Sequence, residues 1–77
     1  MNNNKLEVGD LLIYHKDTIF MFIEYITRVD SDSYDSLLFN NENEMLKIEM
    51  YKLYNTKLDI SQGRAYIKKK KCDIVNI

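Results

Sequence analysis

Residues 18–29, TIFMFIEYITRV, decide the fold of this 77-residue chain. Six of these twelve residues are β-branched, three are aromatic, and neither Gly nor Pro interrupts them. Such a composition favours a β-strand over a helix. Side chains alternate across a strand, and both faces of the first half are apolar, which predicts that this half is covered on both sides. We therefore predict that the segment is the central strand of a small sheet.

Four further strands are predicted around this segment from their apolar residues and the turns that bound them. Asp17 ends a short polar connection, and residues 30–33 and 40–44 are polar clusters rich in Asn, Asp and Ser, which favour turns. The first four strands are therefore expected to be antiparallel neighbours along the chain. The four predicted ranges are residues 11–15, 34–39, 45–54 and 65–75, with the last strand broken at its lysines.

Residues 45–54 fit two structures. Asn41 and Glu44 could form a capping box at the start of a helix. The apolar residues, however, would scatter around that helix and leave it no polar face. We therefore predict a strand, with a bulge near Tyr51 where the alternation breaks.

A short helical turn is predicted at residues 59–63. Asp59 would cap its start, and Gly63 would end it. One 3₁₀ turn would be long enough to use both signals. The chain as a whole is thus predicted to be mainly β, with a single domain over residues 6–77 and a flexible N-terminus over residues 1–5.

The composition indicates a soluble globular domain, with 45% hydrophobic and 30% charged residues. The longest uninterrupted apolar run, residues 19–23, is far shorter than the roughly 20 residues that cross a bilayer. No signal peptide is recognised, and a single cysteine, Cys72, suits a reducing compartment. We expect a cytoplasmic protein, and the residue usage, typical of AT-rich genomes, also fits a phage protein in the host cytoplasm or associated with the virion.

Charge is distributed unevenly along the chain. Residues 1–60 carry six basic and eleven acidic side chains, a balance of −5, whereas residues 61–77 carry five basic and one acidic, a balance of +4. The basic run could be an edge strand whose lysines prevent sheet-to-sheet aggregation. It could instead contact nucleic-acid phosphates, with Tyr66 and Tyr14 stacking on bases. The candidate nucleic-acid residues are Arg64, Lys68, Lys69, Lys70 and Lys71.

The order of these elements resembles an SH3-like small β-barrel of the Tudor-like and KOW-like type. Residues 6–12, LEVGDLL, are similar to the entry segment of many bacterial and phage members, and residues 71–75, KCDIV, to their closing strand. The resemblance implies that the first and last strands are neighbours and that the chain is a binding or structural module. The chain has no Trp and no Pro, which argues against recognition of proline-rich peptides.

Constellations that could carry chemistry are incomplete in this sequence. Residues 30–35, DSDSYD, resemble the start of a calcium loop, but Asp35 stands where Gly is needed and Asn41 where a bidentate Glu is needed. One His, His15, and one Cys, Cys72, cannot complete a zinc site. Glu42 and Glu44 lie in a polar turn with nothing to raise a pKa. We predict a non-enzymatic protein without cofactor or metal.

Six tyrosines are more than a domain of this size is expected to bury, and tyrosine is common at interfaces. They could equally be ordinary residues at the edge of a core. We predict a protein-interaction or inhibitory module that binds another protein, or a second copy of itself, through exposed tyrosines and a strand edge. A self-assembling virion component is a further alternative. The candidate protein-binding residues are Tyr14, Tyr34, Tyr51, Leu53, Tyr54 and Tyr66.

Overall fold

The structure is a computed structural model that describes residues 5–70 of the chain. In this part of the chain, five antiparallel strands form one sheet in the order β4-β3-β2-β1-β5, with a single helix between β4 and β5. The predicted mainly β fold with five strands and one short helix is confirmed. The elements are β1 Leu11–Lys16, β2 Ile19–Val29, β3 Ser33–Asn40, β4 Met45–Lys52, α1 Leu53–Ser61 and β5 Ala65–Lys68.

The sheet is open and does not close into a barrel within residues 5–70. β1 pairs with β5, as the resemblance implied, but β4 pairs only with β3 and so leaves two separate edges in the described part. The predicted second piece of the last strand, including Cys72, lies outside the described residues.

β2 is the central strand of the sheet, as predicted, but its coverage differs from the prediction. Ile19, Phe20 and Met21 in its first half are exposed, whereas Glu24 and Ile26 in its second half are buried. The helix packs against β3 and β5 and not against this part of β2. The apolar character of the first half therefore does not reflect coverage on both sides.

The predicted turns are present, and two of them use left-handed backbone conformations. Asp17 closes the β1–β2 hairpin with φ 57°, and Asn43 lies in the β3–β4 turn with φ 64°. The predicted bulge in β4 is confirmed at Met50, next to Tyr51. Met50 has φ 58°, and the pairing register between β3 and β4 shifts there.

The helix is longer than predicted and begins earlier. Leu53 and Tyr54, predicted in the strand, open α1, and Asp59, predicted as its N-cap, lies inside it. The start carries no side-chain cap; instead the Leu53 N–H donates to the Asp32 carbonyl at 3.0 Å. Gly63 ends the helix as predicted, with φ 77° and its N–H on the Ile60 carbonyl.

The core lies between α1 and one face of the sheet, which we call the inner face. Leu12 and Ile26 are completely buried there, together with the ring of Tyr34. Leu6 from the N-terminal segment and Ala65 from β5 complete the cluster. Replacing a buried leucine such as Leu12 by Ala typically costs about 2–5 kcal/mol, so this small cluster is expected to dominate the stability of the fold.

Candidate interaction surface

The face of the sheet opposite α1 carries a ladder of apolar side chains across all five strands. Cross-strand pairing aligns Met45 with Phe39, Phe39 with Ile23, Ile23 with Ile13, and Ile13 with Tyr66. Side chains at paired positions on one face lie about 5 Å apart and contact each other. Met45, Phe39 and Tyr66 are exposed and the two isoleucines are half-buried. The ladder is therefore a continuous apolar stripe on the surface.

A second ladder lies beside the first and ends in a lysine on each side. It aligns Lys47 with Leu37, Leu37 with Tyr25, Tyr25 with Leu11, and Leu11 with Lys68. We call the two ladders together the outer face. With strands about 4.8 Å apart, the outer face is roughly 20–25 Å wide, the width of a small protein interface. Its charged groups lie at the rim.

An ion pair lies at one end of the outer face. Arg28 and Asp35 occupy paired positions on β2 and β3, and the guanidinium donates from Nε and Nη2 to both carboxylate oxygens at 2.9 and 3.0 Å. The Met50 N–H donates to the same carboxylate. These hydrogen bonds, first that from Arg28, lower the pKa of Asp35. The charges at this end are therefore compensated within the chain.

The predicted tyrosine sites are divided between the two faces. Tyr66 belongs to the outer face, where it packs near His15 with ring centroids 5.8 Å apart. The exposure predicted for Tyr14 and Tyr34 is wrong. Both are buried on the inner face, because alternation in β1 and β3 turns them toward α1. They cannot contact a partner from inside the core.

The other predicted protein-binding residues do not form one patch. Tyr51 packs against Tyr34 with perpendicular rings at 5.7 Å, which places it at the margin of the inner face. Leu53 is half-buried against the core, and Tyr54 is exposed on α1. Met50 instead approaches Arg28 with its sulfur at 3.2 Å from Nη2. The bulge and the start of α1 separate these side chains.

Several residues of the predicted nucleic-acid stripe are bound within the chain. Arg64 forms an ion pair with Asp59 at 2.6 Å. Lys69 Nζ donates to the Asp10 carboxylate at 2.7 Å, and Lys70 Nζ donates to the Val8 carbonyl at 2.9 Å. Lys68 lies on the outer face, and Lys71 lies outside the described residues. Nucleic-acid binding through this stripe remains a prediction.

A buried carboxylate, Asp10, joins the two ends of the described chain. It is completely buried and accepts hydrogen bonds from the Glu7 N–H at 2.8 Å, the Lys70 N–H at 3.1 Å and Lys69 Nζ. Burial raises the pKa of Asp10, but the hydrogen bonds from Lys69, Lys70 and Glu7 outweigh it and hold this pKa below its ordinary value. The sequence analysis included Asp10 only as part of the segment 6–12, LEVGDLL.

A second buried carboxylate, Glu24, lies among hydroxyl groups on the inner face. Ser36 donates to it at 2.6 Å, and the hydroxyls of Tyr34 and Tyr14 face the same group. Burial raises the pKa of Glu24 above its ordinary value, since these neutral donors compensate only in part. Burial likewise raises the pKa of Tyr14 to about 12. The cluster is a polar element of the core, and Thr56 completes it by donating to the Tyr34 hydroxyl at 3.0 Å.

The spaced aspartates of the candidate calcium loop are used in another way. Asp30 and Asp35 both accept from Arg28. Among residues 5–70, no three His, Cys, Asp or Glu side chains are grouped as metal ligands. His15 lies in the β1–β2 hairpin with Nδ1 at 3.0 Å from the Asp17 carbonyl.

Comparison with family models, curated proteins and solved structures finds no match to this chain. Within the described part, no helix has the length and apolar content needed to cross a bilayer. The geometry of the outer face is therefore the main guide to function.

Proposed function

We propose that this protein is an interaction module that binds a second copy of itself, outer face against outer face. The observation that carries the proposal is the first ladder, Met45, Phe39, Ile23, Ile13 and Tyr66. An antiparallel sheet with one solvated face normally places polar side chains there. Here apolar residues replace the polar ones on every strand, and an apolar patch of this kind is typical of a surface that binds a partner.

Size and charge support a pairing of two sheets. A stable interface needs about 800 Å² from each partner, and the five-stranded outer face can supply such a patch. Sheets stack about 10 Å apart with their inward side chains interdigitated. Lys47 and Lys68 lie at the two margins, so stacked sheets leave both ammonium groups in water. Depletion of charge from the centre is characteristic of such interfaces.

Phe39→Lys is expected to separate the two copies. Loss of an anchoring aromatic residue from an interface often costs about 2 kcal/mol, and a two-fold interface contains the change twice, so the dimer Kd should rise roughly 1,000-fold. Sedimentation equilibrium across micromolar concentrations measures this change. The wild-type chain should sediment as a dimer and the variant as a monomer.

Leu58→Lys is the matched control, because Leu58 and Phe39 are equally exposed, at 40%, but Leu58 lies on α1. This control should remain dimeric. A wild-type protein that is monomeric at 100 µM would overturn the proposal. A dimer broken by Leu58→Lys but not by Phe39→Lys would place the interface on α1 instead of the outer face.

A further inference from the structure

A groove of about 570 Å³ lies on the helical side of the molecule, between α1, the N-terminal segment and the β2–β3 turn. This volume is within the range of about 300–1,000 Å³ typical of small-molecule sites. Of its aliphatic residues only Leu6 is buried; the other four are half-buried. The aliphatic residues of its wall are Leu6, Val29, Leu53, Ile60 and Ile67.

The interior of the groove favours an apolar group. Its one buried polar side chain is Thr56, whose hydroxyl proton is already donated to Tyr34. A ligand reaching Thr56 therefore finds no free proton from this side chain. Burial of aliphatic surface is favourable in proportion to the area removed from water, so a flexible hydrocarbon chain gains most by lying along this wall.

The mouth of the groove favours a negative charge. Two lysines, Lys5 and Lys57, line it, together with Asp30. The Asp30 carboxylate accepts from Arg28 Nη1 at 3.0 Å, but Arg28 is shared with Asp35. Two lysines against one aspartate still leave a net positive charge among the residues that line the groove. The ammonium groups of Lys5 and Lys57 attract an anion. An ammonium group and a ligand carboxylate at this partly exposed mouth attract each other by charge and also form hydrogen bonds.

We propose that this groove binds an aliphatic carboxylate, with its hydrocarbon chain along Val29, Leu53 and Ile60 and its carboxylate at Lys5 and Lys57. The site lies on the side of the sheet opposite the outer face. It is therefore independent of the proposed self-association, and either can fail without the other.

Titration of the full-length, ¹⁵N-labelled protein with octanoate, followed by amide chemical shifts, tests the site. Shifts should concentrate at residues 29–31 and 53–61. The neutral probe 1-octanol should bind at least 10-fold more weakly, because it lacks the charge. Octyltrimethylammonium, which has a similar chain and the opposite charge, should bind more weakly still.

Lys57→Glu should weaken octanoate binding about 10-fold and leave the affinity for 1-octanol unchanged. Lys57 is exposed on α1, so this variant is expected to fold. Lys16→Glu makes the same charge change at an exposed lysine of the β1–β2 hairpin and should leave octanoate affinity unaltered. The proposal is overturned if octanoate and 1-octanol bind equally, or if the shifts fall on the outer face. It is also overturned if octanoate shifts nothing, as when another part of the chain fills the groove.

Discussion

Asp10→Ala is expected to lower the free energy of unfolding by about 3 kcal/mol. Removing one partner of a buried ion pair typically costs about 3–5 kcal/mol, and the lower end applies because the Lys69 side chain is partly exposed. The change also leaves the partly buried N–H groups of Glu7 and Lys70 without their acceptor. For a domain of this size the melting temperature should fall by roughly 15 °C. Urea unfolding followed by circular dichroism measures the loss.

Glu42→Ala provides the control, because Glu42 is an exposed carboxylate in the β3–β4 turn. Its effect should stay within about 0.5 kcal/mol. Lys69→Met should approach the cost of Asp10→Ala, and the double variant should cost less than the sum of the two. Additive costs would contradict a direct partnership between Asp10 and Lys69.

The Asp10 carboxylate also makes the free energy of unfolding depend on pH in the acid range. The pKa of Asp10 is lower in the folded chain than its ordinary value of 3.8, so the folded state releases this proton more readily than the unfolded state. The stability that Asp10 contributes is therefore present above pH 3.8 and is lost as pH falls through the lowered pKa. Asp10→Ala should remove this part of the acid sensitivity.

Glu24→Gln is expected to stabilise the protein at pH 8 and to change its pH profile. Burial raises the pKa of Glu24 above the ordinary 4.5 in the folded chain, so the folded state holds this proton more tightly than the unfolded state. Its contribution to stability is full below pH 4.5 and is lost as pH rises through the raised pKa. As pH rises through that pKa, the wild type must bury a charge with no cation among its hydrogen-bond partners, and the neutral amide avoids that cost.

The gain at pH 8 should be on the order of 1 kcal/mol, since hydroxyl groups of Ser36 and Tyr34 can rotate to accept from the amide. Unfolding by urea at pH 4.5 and at pH 8 measures it, and the difference between wild type and variant isolates Glu24. Glu44→Gln, an exposed neutral replacement in the β3–β4 turn, should show no such difference. A Glu24→Gln profile parallel to the wild type would show that the carboxyl does not titrate in this window.

Local chemistry in the sequence was sufficient for much of the fold. β-Branched and aromatic residues predicted β2, the Asn-rich residues 40–44 predicted a turn, and Gly63 predicted the end of a helix. The start of α1 was missed because Lys52 and Leu53 carry no capping signal and the Leu53 N–H is satisfied by a distant carbonyl, that of Asp32. Such a contact depends on tertiary structure.

The candidate surface was harder to predict. Alternation shows that both faces of the first half of β2 are apolar, which predicts coverage of that half on both sides. Only the strand register shows that Ile13, Ile23 and Phe39 align on a face that α1 does not reach. The ion pair between Asp10 and Lys69 could not be predicted from local sequence either, because 59 positions separate the two residues along the chain.

The irregularity at Met50 has a consequence for how large an assembly can become. A left-handed residue held by the Asp35 carboxylate twists the outermost strand, which makes it a poor template for adding a further strand. Within residues 5–70 the opposite margin is β5, a strand of four residues that ends in lysine. Growth by lateral addition, the route to fibres, is thereby disfavoured, so the stacking proposed above would give a closed dimer.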